Sequence, residues 1–190
     1  MVLGGDVAAQ QLLDRVLAVV EGTPVTLSDV RAMQGLGIVD AADDAGALEQ
    51  AIDRQLLLYE VQRFPPPEPP AAAIDAEAAA LLARPGLPAL MRETGLDERR
   101  VREMARERLR IRGYLEQRFG TSVQVSDEEV DRYYREHQDE FLRDGLLIPF
   151  AEAEPVARDR ASAERLTGLI DDWMAELRTR ADVRRLDGRS

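Results

Sequence analysis

The chain contains no cysteine and no lysine, one histidine and one tryptophan, and aromatic residues make up 5% of its 190 positions. Without cysteine there are no disulfides, no thiolate nucleophile and no cysteine-ligated metal. With a single histidine, any Ser-His-Asp arrangement would have to be built around that one residue, and no serine or threonine sits in a strand-to-helix nucleophile turn. Gly35-Leu36-Gly37 is too short for a phosphate loop and follows a helical stretch instead of a strand. No apolar run is long enough to span a bilayer. Basic charge is also short: 25 arginines face 36 acidic residues, a formal net charge of −11. That balance argues against nucleic acid or a stable membrane association as the main partner, since both phosphate-rich surfaces call for a basic face.

What is present is mostly helix-forming. Alanine, leucine, arginine and glutamate dominate, and 190 residues suffice for one domain with a real core. The organising stretch is Val16 to Val30. Val16, Leu17, Val19 and Val20 favour a strand, Glu21-Gly22-Thr23-Pro24 breaks it, and Val25 to Leu27 resumes it. Ser28 or Thr26 then caps a short helix running to Leu36. A lone hairpin of this size is marginal in water, so it needs a third strand. Ala181 to Leu186, at the far end of the chain, is the segment best suited to supply it. The expected fold class is therefore mainly α, with a small sheet made by the hairpin at about 16–27 and a closing strand at about 181–186. The expected organisation is one domain over residues 1–190. Residues 1–11 form a loose leader, 16–141 an N-terminal part, 142–154 a linker, and 155–186 the closing helix and strand.

Between the two ends the pattern predicts an excursion of helices. Leu48 to Phe64 carries a wide apolar stripe. Pro65 to Pro70 reads as a stiff spacer of extended residues, preferred over a recognition ligand because no basic residue flanks it. Helices follow over Ala71–Ala83 and Ala89–Thr94, then from a cap at Asp97 to Phe119, with Gly120 as terminator. Ser126-Asp127-Glu128-Glu129 has capping-box spacing and opens a helix to His137. Pro155 suits the first turn of the last helix, whose stripe of Leu166, Leu169, Ile170, Trp173, Met174 and Leu177 is the most regular in the chain.

Candidate sites are few. His137 lies near Glu136, Asp139 and Glu140, but sequence neighbours on a helix point different ways, and an exposed helix-end histidine is the plainer account than a metal ligand. No catalytic, cofactor or metal residue is assigned. Phe64, Leu146, Leu147, Ile148 and Phe150 are apolar without obvious helical burial, and two uses are open to them. They pack against the base, or they line a groove that binds another polypeptide.

The succession of segments resembles a known family. DRVLAVVEGTPVTLSDV, residues 14–30, is similar to the opening of the N-terminal domain of SurA-like periplasmic chaperones, relatives of PrsA-type foldases. LEQAIDRQLLLYEVQRF resembles that family's second helix, and LDERRVREMARERLRIRGYLEQRF a later one. VQVSDEEVDRYYREHQDEF resembles the helix that leads into a parvulin-type prolyl isomerase domain, and residues 155–186 resemble the helix and strand that return from it. One departure matters. Where the family usually carries a whole parvulin domain, this chain has only RDGLLIPFAEAE, so the family's catalytic residues have no counterpart here. The Pro-rich run at 65–70 also departs from the usual polar helix entry. The resemblance implies a mainly helical chaperone domain with the N- and C-terminal strands in one sheet. It further implies an extracytoplasmic location with an export signal removed, and binding of unfolded or partly folded polypeptides such as outer-membrane proteins, without cofactor or isomerase activity. The competing expectations are a scaffold subunit acting as a homodimer by exchange of terminal elements, and a prolyl isomerase.

Overall fold

The structure is a computed structural model that describes residues 14–186; the expected leader at 1–11 lies outside the described residues. Strand β1, Val16–Val20, turns through Glu21 and Gly22 into β2, Thr23–Thr26. Both turn residues have positive φ, 47° and 79°, a geometry that matches strand twist in a two-residue hairpin. The sheet order is β2-β1-β5, where β5 is Val183–Arg185 and pairs antiparallel with β1, Val19 opposite Arg184. Backbone bonds from Glu21 to Asp182 (2.9 Å) and from Leu186 to Leu17 (2.8 Å) extend the pairing at both ends. The two extremities therefore close one base within a single chain.

The other edge of that sheet is blunted. Pro24, which has no N–H, stands opposite Val19, and the amide of Thr26 donates to Asp29 at 3.4 Å. Ala18 and Val20 alternate inward and are fully buried. Helix α1, Leu27–Gly35, starts from Thr26, whose hydroxyl accepts from Asp29 in a capping box. Helix α2, Asp44–Arg63, begins four residues before the expected Leu48 because Asp43 accepts from the Gly46 amide and starts the helix there. Its Ala51, Ile52, Leu56 and Val61 pack among α1, α5, α7 and the sheet.

After α2 the Pro-rich run crosses the surface as a strap. Pro66 is buried beside Gly113, and Glu68 takes two bonds from Arg106 at 2.5 and 2.9 Å. Helices α3, Ala71–Leu82, and α4, Leu87–Thr94, follow; α3 lies on α5, Glu98–Phe119, and α4 on α1. The C-cap of α5 is Gly120, but its φ of −55° is helical. Gly120 is the expected terminator, and a Cβ there would lie 2.5 Å from the Glu116 carbonyl oxygen.

Helix α6, Asp127–Glu136, starts in the expected capping box, with Ser126 and Glu129 each bonding the other's backbone. A short 3-10 turn, Gln138–Phe141, follows, and then two corrections to the reading of the sequence. The first is that residues 142–147 are no plain linker. Strands β3, Leu142–Arg143, and β4, Leu146–Leu147, form a small hairpin about Asp144 and Gly145. The second is that α7 begins at Phe150 and runs to Arg180, so Pro155 lies inside it. A residue with an N–H at 155 would donate to the carbonyl of Ala151, a bond that proline leaves unmade. Both residues are on the exposed face, where water takes the freed carbonyl.

The buried residues fall into two clusters. The main one gathers β1, α1, α2, α3 and α5 around Trp173, Met174 and Leu177 of α7. Trp173 packs on Tyr114 and Phe119 at ring distances of 5.8 and 5.7 Å, under the Arg118 guanidinium at 4.6 Å. The second cluster, an outer lobe, consists of Val130 and Tyr134 of α6, Phe141, and Ala153 and Ala157 of α7. Helix α7, about 46 Å long at 1.5 Å per residue, thus serves both cores. Its small residues Ala153, Ala157 and Ala161 recur every four positions and are buried where α6 lies against it.

Candidate functional site

The five apolar residues proposed from the sequence separate into three environments. Ile148 and Phe150 belong to the outer lobe and pack against its core. Phe150 meets the Tyr134 ring at 5.3 Å, while the Tyr134 hydroxyl donates to the Ile148 carbonyl at 2.5 Å. For these two, packing is the use the structure records. Phe64 stands apart at the C-cap of α2, 57% exposed, with the Arg63 guanidinium 5.3 Å from its ring. Leu146 and Leu147 are exposed on β4, at 76% and 42%. The structure therefore groups only part of the proposed set.

The hairpin adds residues that sequence reasoning missed. Leu142 pairs across from Leu147 and is 52% exposed, so the two share one hairpin face. Arg143 and Leu146 share the other face, and Arg143 donates to Glu152 of α7 at 2.7 Å. Val156, one turn further along that side of α7, is 48% exposed. Leu142, Leu146, Leu147 and Val156 are four of the six large apolar side chains that remain exposed among the described residues. The signal in the sequence was Asp144-Gly145 between Leu142-Arg143 and Leu146-Leu147, a hairpin spacing.

A cleft of about 220 Å³ beside Leu17, Leu27, Val30 and Leu48 and an open one of about 720 Å³ along Pro65, Pro66 and Pro67 are mainly apolar, and two others are lined by charged side chains. One of about 90 Å³ between β2, α2 and α5 holds Arg54 and Arg100 against Glu107, at 3.0 and 3.2 Å. Burial lowers the Arg54 guanidinium from its ordinary value, and Glu107 opposes that shift. A cleft of about 380 Å³ between α6 and α7 is lined by Glu129, Arg132, Tyr133, Glu136 and Glu164. The Glu129 carboxylate is held below the usual range, first by the Ser126 amide. His137, the C-cap of α6, stacks on Tyr133 at 4.1 Å with its Nδ1 3.0 Å from the Tyr133 carbonyl. Among the described residues no group of three or more histidine, aspartate and glutamate side chains is arranged to hold a metal ion, and no helix is long and apolar enough to cross a membrane. What the surface offers chemically is contact: an apolar hairpin among charges.

No protein-family model matches the chain, and no curated protein does. A solved structure matches it across 92% of this chain and 100% of its own, with a TM-score of 0.60 at 11% identity. It comes from the work on the virulence factor PEB4 and the periplasmic protein Cj1289, two structurally related SurA-like chaperones of the human pathogen Campylobacter jejuni. The fold is that of the SurA-like chaperones. At 11% identity the SurA-like likeness lies in the path of the backbone, and few side chains are held in common.

Proposed function

We propose that the protein is an ATP-independent chaperone of the holdase type that binds unfolded or partly folded polypeptides, outer-membrane proteins among them, and has no isomerase activity. The observation that carries this reading is the SurA-like fold over 92% of the chain. The exposed Leu142, Leu146, Leu147 and Val156 of the outer lobe support it, because a holdase needs accessible apolar side chains and no reacting group. Phe64 is a second contact point on the main body. An extracytoplasmic location belongs to the same proposal, and a chain free of cysteine works equally well in an oxidising compartment.

The test is turbidity of an unfolded outer-membrane β-barrel protein diluted from denaturant. A several-fold excess of this protein is expected to suppress it, and no suppression would count against the reading. A protease-free cis/trans assay on a proline peptide is expected to give the uncatalysed rate. The alternative, a scaffold dimer, gains less support, since β5 completes the sheet within its own chain and closure needs no second copy. Light scattering giving a mass near twice 21.2 kDa would favour it.

A further inference from the structure

The charges around the exposed hairpin are unequal. From Asp127 to Arg165 the sequence has twelve carboxylates and six arginines. Five of the arginines are already engaged: Arg135 with Asp131, Arg143 with Glu152, Arg158 with Asp127 and Glu154, Arg160 with Glu140, and Arg165 with Glu129. Glu128, Glu136, Asp139, Asp144, Asp159 and Glu164 are exposed and make no ion pair among the described residues, and Arg132 is the one arginine left to oppose them. Three of these carboxylates lie close in sequence to the exposed apolar residues. Asp144 sits in the hairpin turn, Asp139 lies three residues before Leu142, and Asp159 follows Val156 by one helical turn. Exposed apolar side chains interspersed with uncompensated negative charge attract one kind of partner and repel another.

We infer that the hairpin and the adjoining turn of α7 take polypeptide segments that are apolar and carry lysine or arginine, and disfavour apolar segments flanked by acids. The inference rests on the polypeptide-binding reading and adds the charge of the bound segment to it. The apolar side chains supply contact area that is indifferent to sequence. The carboxylates act at longer range, speed encounter with basic segments, and exclude acidic ones. The arginine-paired carboxylates contribute little to this, because their field is already neutralised nearby.

The experiment uses the full chain and two labelled peptides that share one apolar core, one flanked by lysines and one by glutamates, read by fluorescence anisotropy. The lysine peptide is expected to bind about tenfold more tightly at low salt, and the difference to shrink at roughly 0.5 M salt. The D139N/D144N/D159N triple variant is expected to remove most of that preference; asparagine keeps the left-handed turn position at 144 accessible. Leu146→Ser, at a position 76% exposed, is expected to weaken both peptides with the fold unchanged by circular dichroism. Equal affinity for the two peptides would overturn the charge inference and leave the chaperone reading standing. Lysine-peptide binding that ignores both variants would overturn the placement on the hairpin. Failure of both peptides to bind, together with no suppression of aggregation, would overturn the inference by removing the reading beneath it.

Discussion

Replacing Phe141 with alanine is expected to loosen the outer lobe while the sheet and its helices stay folded. Phe141 is 2% exposed and among the largest fully buried side chains. Its ring meets Tyr134 at 5.1 Å and Tyr133 edge-on at 6.3 Å, and the Arg160 guanidinium lies 5.1 Å away. Truncating a buried phenylalanine costs about 3–5 kcal/mol. The second core has only four other buried members, Val130, Tyr134, Ala153 and Ala157, and two of them are alanines with little to spare. A loss of about 3 kcal/mol there corresponds to roughly a hundredfold larger open population. The main cluster shares no buried member with this one, so its own opening is not expected to change. Hydrogen exchange read by mass spectrometry separates the two: amides in 127–149 are expected to exchange about a hundredfold faster, and those in 16–27 and 50–62 at the wild-type rate. Equal acceleration everywhere would show one cooperative unit and refute the two-core reasoning. No acceleration in 127–149 would refute the burial argument for Phe141.

Three further outcomes follow from the same packing. Trp173→Ala removes the ring between Tyr114 and Phe119 and is expected to cost about 3–5 kcal/mol, seen as a lower urea midpoint by far-ultraviolet circular dichroism; a cost below about 1 kcal/mol would contradict its central place. Glu129, held below the usual carboxylate range by the Ser126 amide, contributes stability above its unfolded pKa that disappears as pH falls through the folded one. Glu129→Gln is therefore expected to flatten the loss of stability between about pH 5 and pH 3, measured by thermal melts across that range. Deleting residues 183–186 uncovers the β1 edge that bonds Arg184 and Leu186, and is expected to lower the melting temperature and promote aggregation; an unchanged melt would sink the closed-base argument.

Local chemistry made several elements readable in advance. Glu21-Gly22 and Asp144-Gly145 supply turn residues whose positive φ the structure uses. Ser126 and Glu129 have the spacing of a reciprocal cap and form one. The helix after Asp97 and the stripe around Trp173 show their buried faces by period alone. The start of α7 was misread because proline usually marks a first turn, and its tolerance deeper in a helix depends on whether the freed carbonyl reaches water. The outer core was missed because alanines at 153, 157 and 161 carry no hydrophobic signal until another helix comes close enough to need small residues. Tyr114 was passed over for a related reason: it is buried by Trp173, from a helix some sixty positions later.

The sequence by itself determined that the protein is mainly helical, that a hairpin opens it, and that cysteine and lysine chemistry are absent, because composition, period and turn residues act over a few positions. Only the tertiary structure decided which apolar residues of 142–150 stay in water. In a two-residue hairpin each side chain has a fixed face. Both faces of this one stay exposed, Leu142 and Leu147 on one and Leu146 on the other, while Ile148 and Phe150, just beyond it, are covered by the outer core.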